Sequence, residues 1–358
     1  MLTENPVMKT KKIRIYYFRE SKCQCYDQMT EFDNEDDSLV THILTVDEML
    51  IEGLILANFS EQQIERGSKK TNLGRFNSKF GASPAVVCTI YEDLQKTTAE
   101  DISVQPHRSM RVNGSHANLR WLLRSMIYLR KYPLEDDFEA IFKMTARHAR
   151  REIWDTIGKI QYLKWKKITW PDDLALEDIW VMTVDGTHVW IQEPKHETLS
   201  KDTEYFSHKF NKSGINYELG IAIASGKLIW LNGPFKAGRN DLNIFVEEGL
   251  EQRLLLLGKK AIGDGIYQGH EKAVSFPNRC DSYGVAKFKS RALKRHESFN
   301  GMLKKFRILS DCFRHRVDKI APAFESIAVI CQYKIEREEP LYDVLIEDVV
   351  FGDYQQSP

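Results

Sequence analysis

The chain has 358 residues, zero formal net charge at pH 7, 42% hydrophobic and 11% aromatic residues, and six cysteines. That content allows a sizeable core, in two domains or in one large domain with an appendage, and marks an ordinary soluble globular protein. It excludes a disulfide-framed scaffold, and no apolar run reaches the roughly 18–20 residues a membrane span needs. The early basic residues Lys9, Lys11, Lys12 and Arg14 are not followed by an apolar stretch of the kind a secretory signal carries.

Residues 1–75 are expected to be an acidic, partly disordered region with one helix. From Asp27 to Glu65 there are eleven acidic residues and no Lys or Arg. Cys23-Gln-Cys25 lacks zinc spacing and a second pair, so free thiols are the simpler reading. Val46 to Ile64 has helical spacing, with Leu50, Leu54 and Ile55 on one face. Residues 76–167 read as all-helical: Phe76 to Leu94 with a turn at Gly81-Ala-Ser-Pro84, His116 to Tyr132, Phe138 to Lys143, and Ala146 to Leu163 with Thr145 as cap. Two helix–turn–helix candidates for DNA contact fall in this segment, although any small helical bundle contains such pairs.

After Trp170-Pro171 the period changes. Ile179 to Val184 is a buried-strand run, which Gly186-Thr187 turns into His188 to Ile191. Tyr217 to Ala224 and Lys227 to Leu231 read as a hairpin about Ser225-Gly226. A helix from Leu242 to Leu257, strands at Lys260 to Gly263 and Tyr283 to Phe288, and helices at Lys289 to Phe306 and Val317 to Arg337 follow. The expected fold class is α/β, a mixed sheet flanked by helices over 168–338, preceded by the mainly helical N-terminal region and followed by an acidic tail at 339–358.

Three carboxylates stand out. Asp185 and Asp264 close apolar strand runs, where ligands gather in α/β sheets. Gly263 and Gly265 flank Asp264 and permit close approach of a ligand. Glu297 lies in a basic helix and shares a face with Leu293, Asn300, Gly301 and Lys304. Three separated carboxylates suit Mg²⁺ held against a phosphodiester. From Lys287 to Lys319 eleven basic residues oppose Glu297, Asp311 and Asp318, a local patch for a polyanion despite the neutral total. Competing readings exist for each. Asp-Gly is a common turn dipeptide, Glu297 could simply pair with Lys294, His188 and His270 could be ordinary hydrogen-bonded histidines, and Asp241 could cap the helix from Leu242.

The ordered set of motifs from about Leu176 to Tyr333 resembles the DDE superfamily endonuclease domain of Harbinger-type transposases. It comprises Val184-Asp185-Gly-Thr-His188, Phe206-Ser-His-Lys-Phe210 before Asn216-Tyr217, Gly233-Pro-Phe-Lys-Ala-Gly238-Arg-Asn-Asp241, Ile262-Gly-Asp264-Gly-Ile-Tyr267, and Arg295-His-Glu297-Ser-Phe-Asn300-Gly-Met-Leu-Lys304. Gly265-Ile266 departs from the Arg-Gly that such domains often carry before the Tyr. The resemblance implies an RNase H-like fold in which Asp185, Asp264 and Glu297 are the catalytic, metal-holding triad. It also implies two Mg²⁺ ions, with Mn²⁺ as substitute, and DNA as partner. Lys294, Arg295, Asn300, Lys304 and Lys305 would meet DNA, with His188 and Asp241 in support. A separate DNA-binding partner protein, a homo-oligomer cutting two transposon ends, and a nuclear location read from the family and the Lys9–Arg14 cluster are further expectations. The alternatives are a domesticated relative that binds DNA or protein without cutting, and a phosphoesterase acting on small substrates, which the basic run disfavours.

Overall fold

Side-chain caps start most of the helices. In the computed structural model, which describes residues 44–97, 118–171, 178–194 and 202–345, capping boxes head α1 (Val46–Leu56) and α2 (Glu61–Arg66). Ser68 caps α3 (Lys69–Phe80), and Ser83 with Pro84 opens α4 (Pro84–Gln95). Then come α5 (Leu119–Lys131), which stops before Pro133, α6 (Phe138–Phe142), α7 (Ala146–Tyr162) and α8 (Lys164–Lys167). The single helix expected from Val46 to Ile64 is two, because Asn58 takes left-handed backbone (φ 66°) and Ser60 starts a new cap. Leu50 and Leu54 are buried as expected, but Ile55 is 42% exposed. Thr145 stands at the N-cap position of α7, yet its hydroxyl makes no capping bond. The acidic tract at Glu31–Asp37, Cys23, Cys25, the Lys9–Arg14 cluster, the start of the expected helix at His116 and the end of the acidic tail lie outside the described residues.

The sheet contains β1 (Trp180–Trp190), β2 (Phe206–Ser207), β3 (Lys212–Ala222), β4 (Leu228–Lys236), β5 (Lys260–Ile262) and β6 (Val274–Ser275). β1, β3 and β4 are antiparallel neighbours, and β5 and β6 continue parallel to β1 on its other side. β2 adds a short antiparallel pairing at the head of β3.

Four expectations change here. Asp185-Gly186 is no turn: β1 runs straight through it, with Asp185 opposite Leu219 and Gly186 opposite Glu218. The connection from β3 to β4 spans residues 223–227 and is longer than two residues. The helix expected from Leu242 to Leu257 is α9 (Asp241–Glu247) and α10 (Leu250–Leu257), broken at Gly249 (φ 95°), and its N-cap is Asn240, not Asp241. The strand expected at Tyr283 is the first part of α11 (Tyr283–Lys304), started by the Ser282 hydroxyl accepting from the Val285 amide. A short helix α12 (Arg307–Ser310) and α13 (Ile320–Arg337) complete the described chain.

One apolar cluster extends from Met49 to Ile335 and takes in residues of α1, α3–α7, β1, β3 and α13. Burial of this much apolar surface is the main term favouring the fold. α13 is the common pillar: Ile320, Phe324, Ile327 and Ile330 are fully buried. The Phe324 ring stacks on Tyr217 of β3 with centroids 3.8 Å apart. Polar ties join α13 to the helical region. The Ser326 hydroxyl donates to the Ile157 carbonyl at 2.8 Å, and the Tyr333 hydroxyl donates to Asp93 at 2.6 Å. Among the described residues, no helix is long and apolar enough to cross a membrane.

Candidate active site

The parallel pairing of β1 with β5 aligns Met182 with Ala261 and Thr183 with Ile262. Two residues further along the chain from this last pair stand Asp185, still within β1, and Asp264, in the turn just past the end of β5. β5 ends at Ile262 while β1 continues, and further along the edge it leaves is taken up by Lys304 at the His188 carbonyl and by the Phe313 amide at the Trp190 carbonyl. The Asp264 carboxylate caps the turn at Gly265–Tyr267 by accepting from the Ile266 amide at 2.9 Å, and the residue is exposed. Asp185 is partly buried. Its carboxylate accepts from the Gly186 amide at 2.8 Å and from the Asn300 side-chain amide at 3.2 Å. Burial, then the charge of Asp241, then that of Asp264, push the Asp185 carboxyl up to about 7; the Gly186 amide and the Lys209 charge only partly oppose them.

Gly186 is required by its neighbour, for a Cβ there would meet the Asp241 carboxyl oxygen at 2.3 Å. Asp241 in turn accepts from the Asn216 amide at 2.6 Å. Asn216 and Glu218 alternate on β3 with the apolar Ile215, Tyr217 and Leu219, and both are buried. Burial raises Glu218 to about 7, with Asp241 and Glu248 adding to the rise and bonds from Trp230 and Asn232 countering it. The Tyr267 ring packs onto Gly263, which explains that glycine, and its buried hydroxyl lacks a hydrogen-bond partner. Burial holds the Tyr267 phenol well above its usual range, with Asp241, Glu218, Asp185 and Asp264 contributing. Neither Asn216, Glu218 nor Tyr267 was singled out as functional from the sequence. For Asn216 and Glu218 the available signal was two polar residues alternating with apolar ones on one strand.

α11 lies along the sheet. His296 meets the Thr183 hydroxyl at 2.8 Å, and burial lowers its imidazole to about 3, so it stays neutral. Glu297 is exposed and sits about one turn before Asn300, the residue that touches Asp185. Lys294 and Lys305 are exposed. Arg295 and Lys304 do not present themselves to a ligand. Arg295 is 1% exposed and donates to the carbonyls of Ala222 and Ile223 at 2.7 and 2.8 Å. Lys304 donates to the His188 carbonyl and, at 3.1 Å, to that of Leu309, and burial lowers it to about 8. Other members of the basic run are also committed: Lys289 pairs with Asp281 at 2.9 Å, and Arg314 donates to the carbonyls of Tyr132 and Pro133. The run therefore reads as less of a DNA face than its composition suggests. Residues 342–344 clasp the far side of α11. Tyr342 donates to the Arg291 carbonyl at 2.9 Å, Arg291 donates to the Asp343 carbonyl at 3.2 Å, and Val344 is buried with Phe288 and Ala292.

The oxygen donors suit a hard divalent cation. Asp185 and Asp264 crowd like charges that a cation would relieve, and the buried Oδ1 of Asn300 has no hydrogen-bond partner. Among the described residues, no group of three or more His, Cys, Asp or Glu side chains is placed to hold a metal ion. Asp185 and Asp264 are thus brought together with Asp241 nearby, while Glu297 stands on the same helix face without closing the set.

Residues 184–332, less than half of the chain, match the family model described as DDE superfamily endonuclease. This similarity points to a nuclease of transposase type with DNA as its substrate class. No curated protein and no solved structure matches the chain.

Proposed function

We propose that this protein is a Harbinger-type, transposase-like endonuclease that cuts DNA phosphodiester bonds on Asp185, Asp264 and Glu297. The observation that carries the proposal is the pair Asp185, on β1, and Asp264, just past the end of the adjacent parallel β5, with the Asp185 carboxyl pushed up by burial and by neighbouring acids. A sheet with antiparallel β4–β3–β1 and parallel β1–β5–β6 supports the RNase H-like reading. Two divalent ions, Mg²⁺ or Mn²⁺, would supply charge stabilisation at the phosphoryl oxygens and an activated water or 3′-hydroxyl when bound. Asp185 and Asp264 offer their carboxylates where β5 ends beside β1. Glu297 would complete the donor set from α11. Asn300 orients the Asp185 carboxylate, and Asp241, held by the Asn216 amide, is the neighbouring acid that acts most strongly on it. The exposed Lys209, Lys294 and Lys305 would neutralise the DNA backbone, making binding fall as salt rises.

Nicking of supercoiled plasmid in Mg²⁺ or Mn²⁺ tests this. Wild type should nick, and Asp185→Ala and Glu297→Gln should not; equal activity in all three rejects the assignment. A second reading is a domesticated relative that grips DNA or a partner protein without cutting. It is favoured by the exposed position of Glu297, outside any three-acid group. Thermal unfolding with Mn²⁺ separates the two, because only a working site should gain stability from the ion.

A further inference from the structure

Three rings gather where β1 runs on past Asp185. His188 and Trp190 are two apart on β1 and so share one face of the sheet. Their rings stack with centroids 5.9 Å apart and planes inclined by 17°. Phe210 meets both edge-on, at 4.7 Å from His188 and 5.1 Å from Trp190. It is carried by the tight turn between β2 and β3, closed by the Asn211 amide donating to the Ser207 carbonyl at 2.8 Å with Asn211 in left-handed backbone. Asn tolerates that conformation, so the turn holds its tip in a defined place. Yet Phe210 is 39% exposed.

Cations border the rings. Lys209 lies 5.3 Å from the Phe210 centroid and Lys212 5.5 Å from that of Trp190, and both lysines are exposed. His188 lies three residues beyond Asp185 on β1, near enough that the charges of Lys209 and Asp241 act on both. Core packing requires neither an exposed Phe at a turn tip nor two flanking cations. An aromatic face bordered by lysines is complementary to a flat base on an anionic backbone. The base would have to be unpaired, since stacked duplex bases offer only their edges in the grooves.

We propose that His188, Trp190 and Phe210 form a stacking platform for an unpaired nucleobase of the DNA strand that lies on Asp185 and Asp264. The proposal rests on the endonuclease reading and adds a preference for DNA that is single-stranded or frayed next to the cut.

The test is fluorescence anisotropy of full-length protein with a short single strand and with its duplex, in Ca²⁺ and without Mg²⁺ or Mn²⁺. A 2-aminopurine in the single strand reports stacking by quenching. Phe210→Ala should weaken single-strand binding roughly 5- to 30-fold, leave duplex binding within about twofold, and abolish the quenching. Phe210→Tyr should retain wild-type behaviour. Phe210 sits at an exposed turn, so the unfolding midpoint of both variants should match wild type. Unchanged single-strand affinity in Phe210→Ala, or equal loss on single strand and duplex, overturns the platform, including the case where the rings serve a protein partner. Plasmid nicking measured alongside separates the two claims. Nicking by wild type with Phe210-independent single-strand binding removes the platform alone. Phe210-dependent single-strand binding without nicking keeps the base-stacking surface and removes the cleavage reading.

Discussion

Replacing Asp185 by Asn should make the metal-free protein more stable at pH 8 while ending its activity. The folded state raises this carboxyl from 3.8 to about 7, through burial first and the charges of Asp241 and Asp264 after it. At pH 8 the wild-type group is ionised, and its buried charge costs at most about 4 kcal/mol. Asn has nearly the same shape and no charge. It can still accept from the Gly186 amide, though more weakly than a carboxylate, and one bond to Asn300 is put at risk, about 1 kcal/mol each. The expected net gain is about 1–3 kcal/mol at pH 8. The sign with pH follows from the raised value. Between about pH 4 and 7 the folded protein holds a proton that the unfolded chain releases, so wild type loses stability as pH rises through that window. The amide of the variant does not titrate, so its advantage should vanish near pH 5. Glu218 contributes a slope of the same sign in both proteins and cancels in the comparison. Urea unfolding of wild type and Asp185→Asn at pH 5 and pH 8, without divalent metal, measures both effects. Mn²⁺ added at pH 8 should then stabilise wild type and leave the variant unmoved. A variant equally or less stable than wild type at pH 8, with the same pH slope, would refute the claim that Asp185 is held under electrostatic strain.

Asn300→Leu removes the amide that meets Asp185, and should lower nicking roughly 10- to 100-fold without changing the urea midpoint by more than the lost contact accounts for. Gly186→Ala drives a methyl into the Asp241 carboxylate, and should cost about 1–3 kcal/mol in urea unfolding together with activity; a neutral outcome would mean that Asp241 moves aside freely. Arg295→Met should cost about 2–4 kcal/mol, because two buried carbonyls lose a charged donor. A variant of wild-type stability with weakened DNA binding would return Arg295 to the DNA surface.

Local chemistry was legible where a residue serves the chain next to it. Ser83-Pro84, the stop before Pro133 and the apolar face of α13 needed no tertiary information. Asp185-Gly186 misled because a turn dipeptide and a close-approach glycine look alike in sequence, and only Asp241, 55 residues away in the chain, distinguishes them. Tyr283 to Phe288 misled because a helix start rich in aromatic and β-branched residues has the composition of a strand, and the Ser282 cap settles it. The basic run shows charge counted without burial: Lys289, Arg295, Lys304 and Arg314 are all bound to protein oxygens. Asn216, Glu218 and Tyr267 stayed hidden because their importance lies in what surrounds them, three acids gathered from separate elements.

The contacts of residues 342–344 with α11 bear on where the folded unit stops. Sequence composition marks everything after Glu338 as an acidic appendage that could be trimmed. In space, Tyr342, Asp343 and Val344 brace the outer side of the helix whose opposite side carries Asn300 to Asp185. A chain cut after Arg337 would keep every proposed catalytic residue and still lose the brace behind them. A fragment meant to keep α11 in place should therefore extend through Val344.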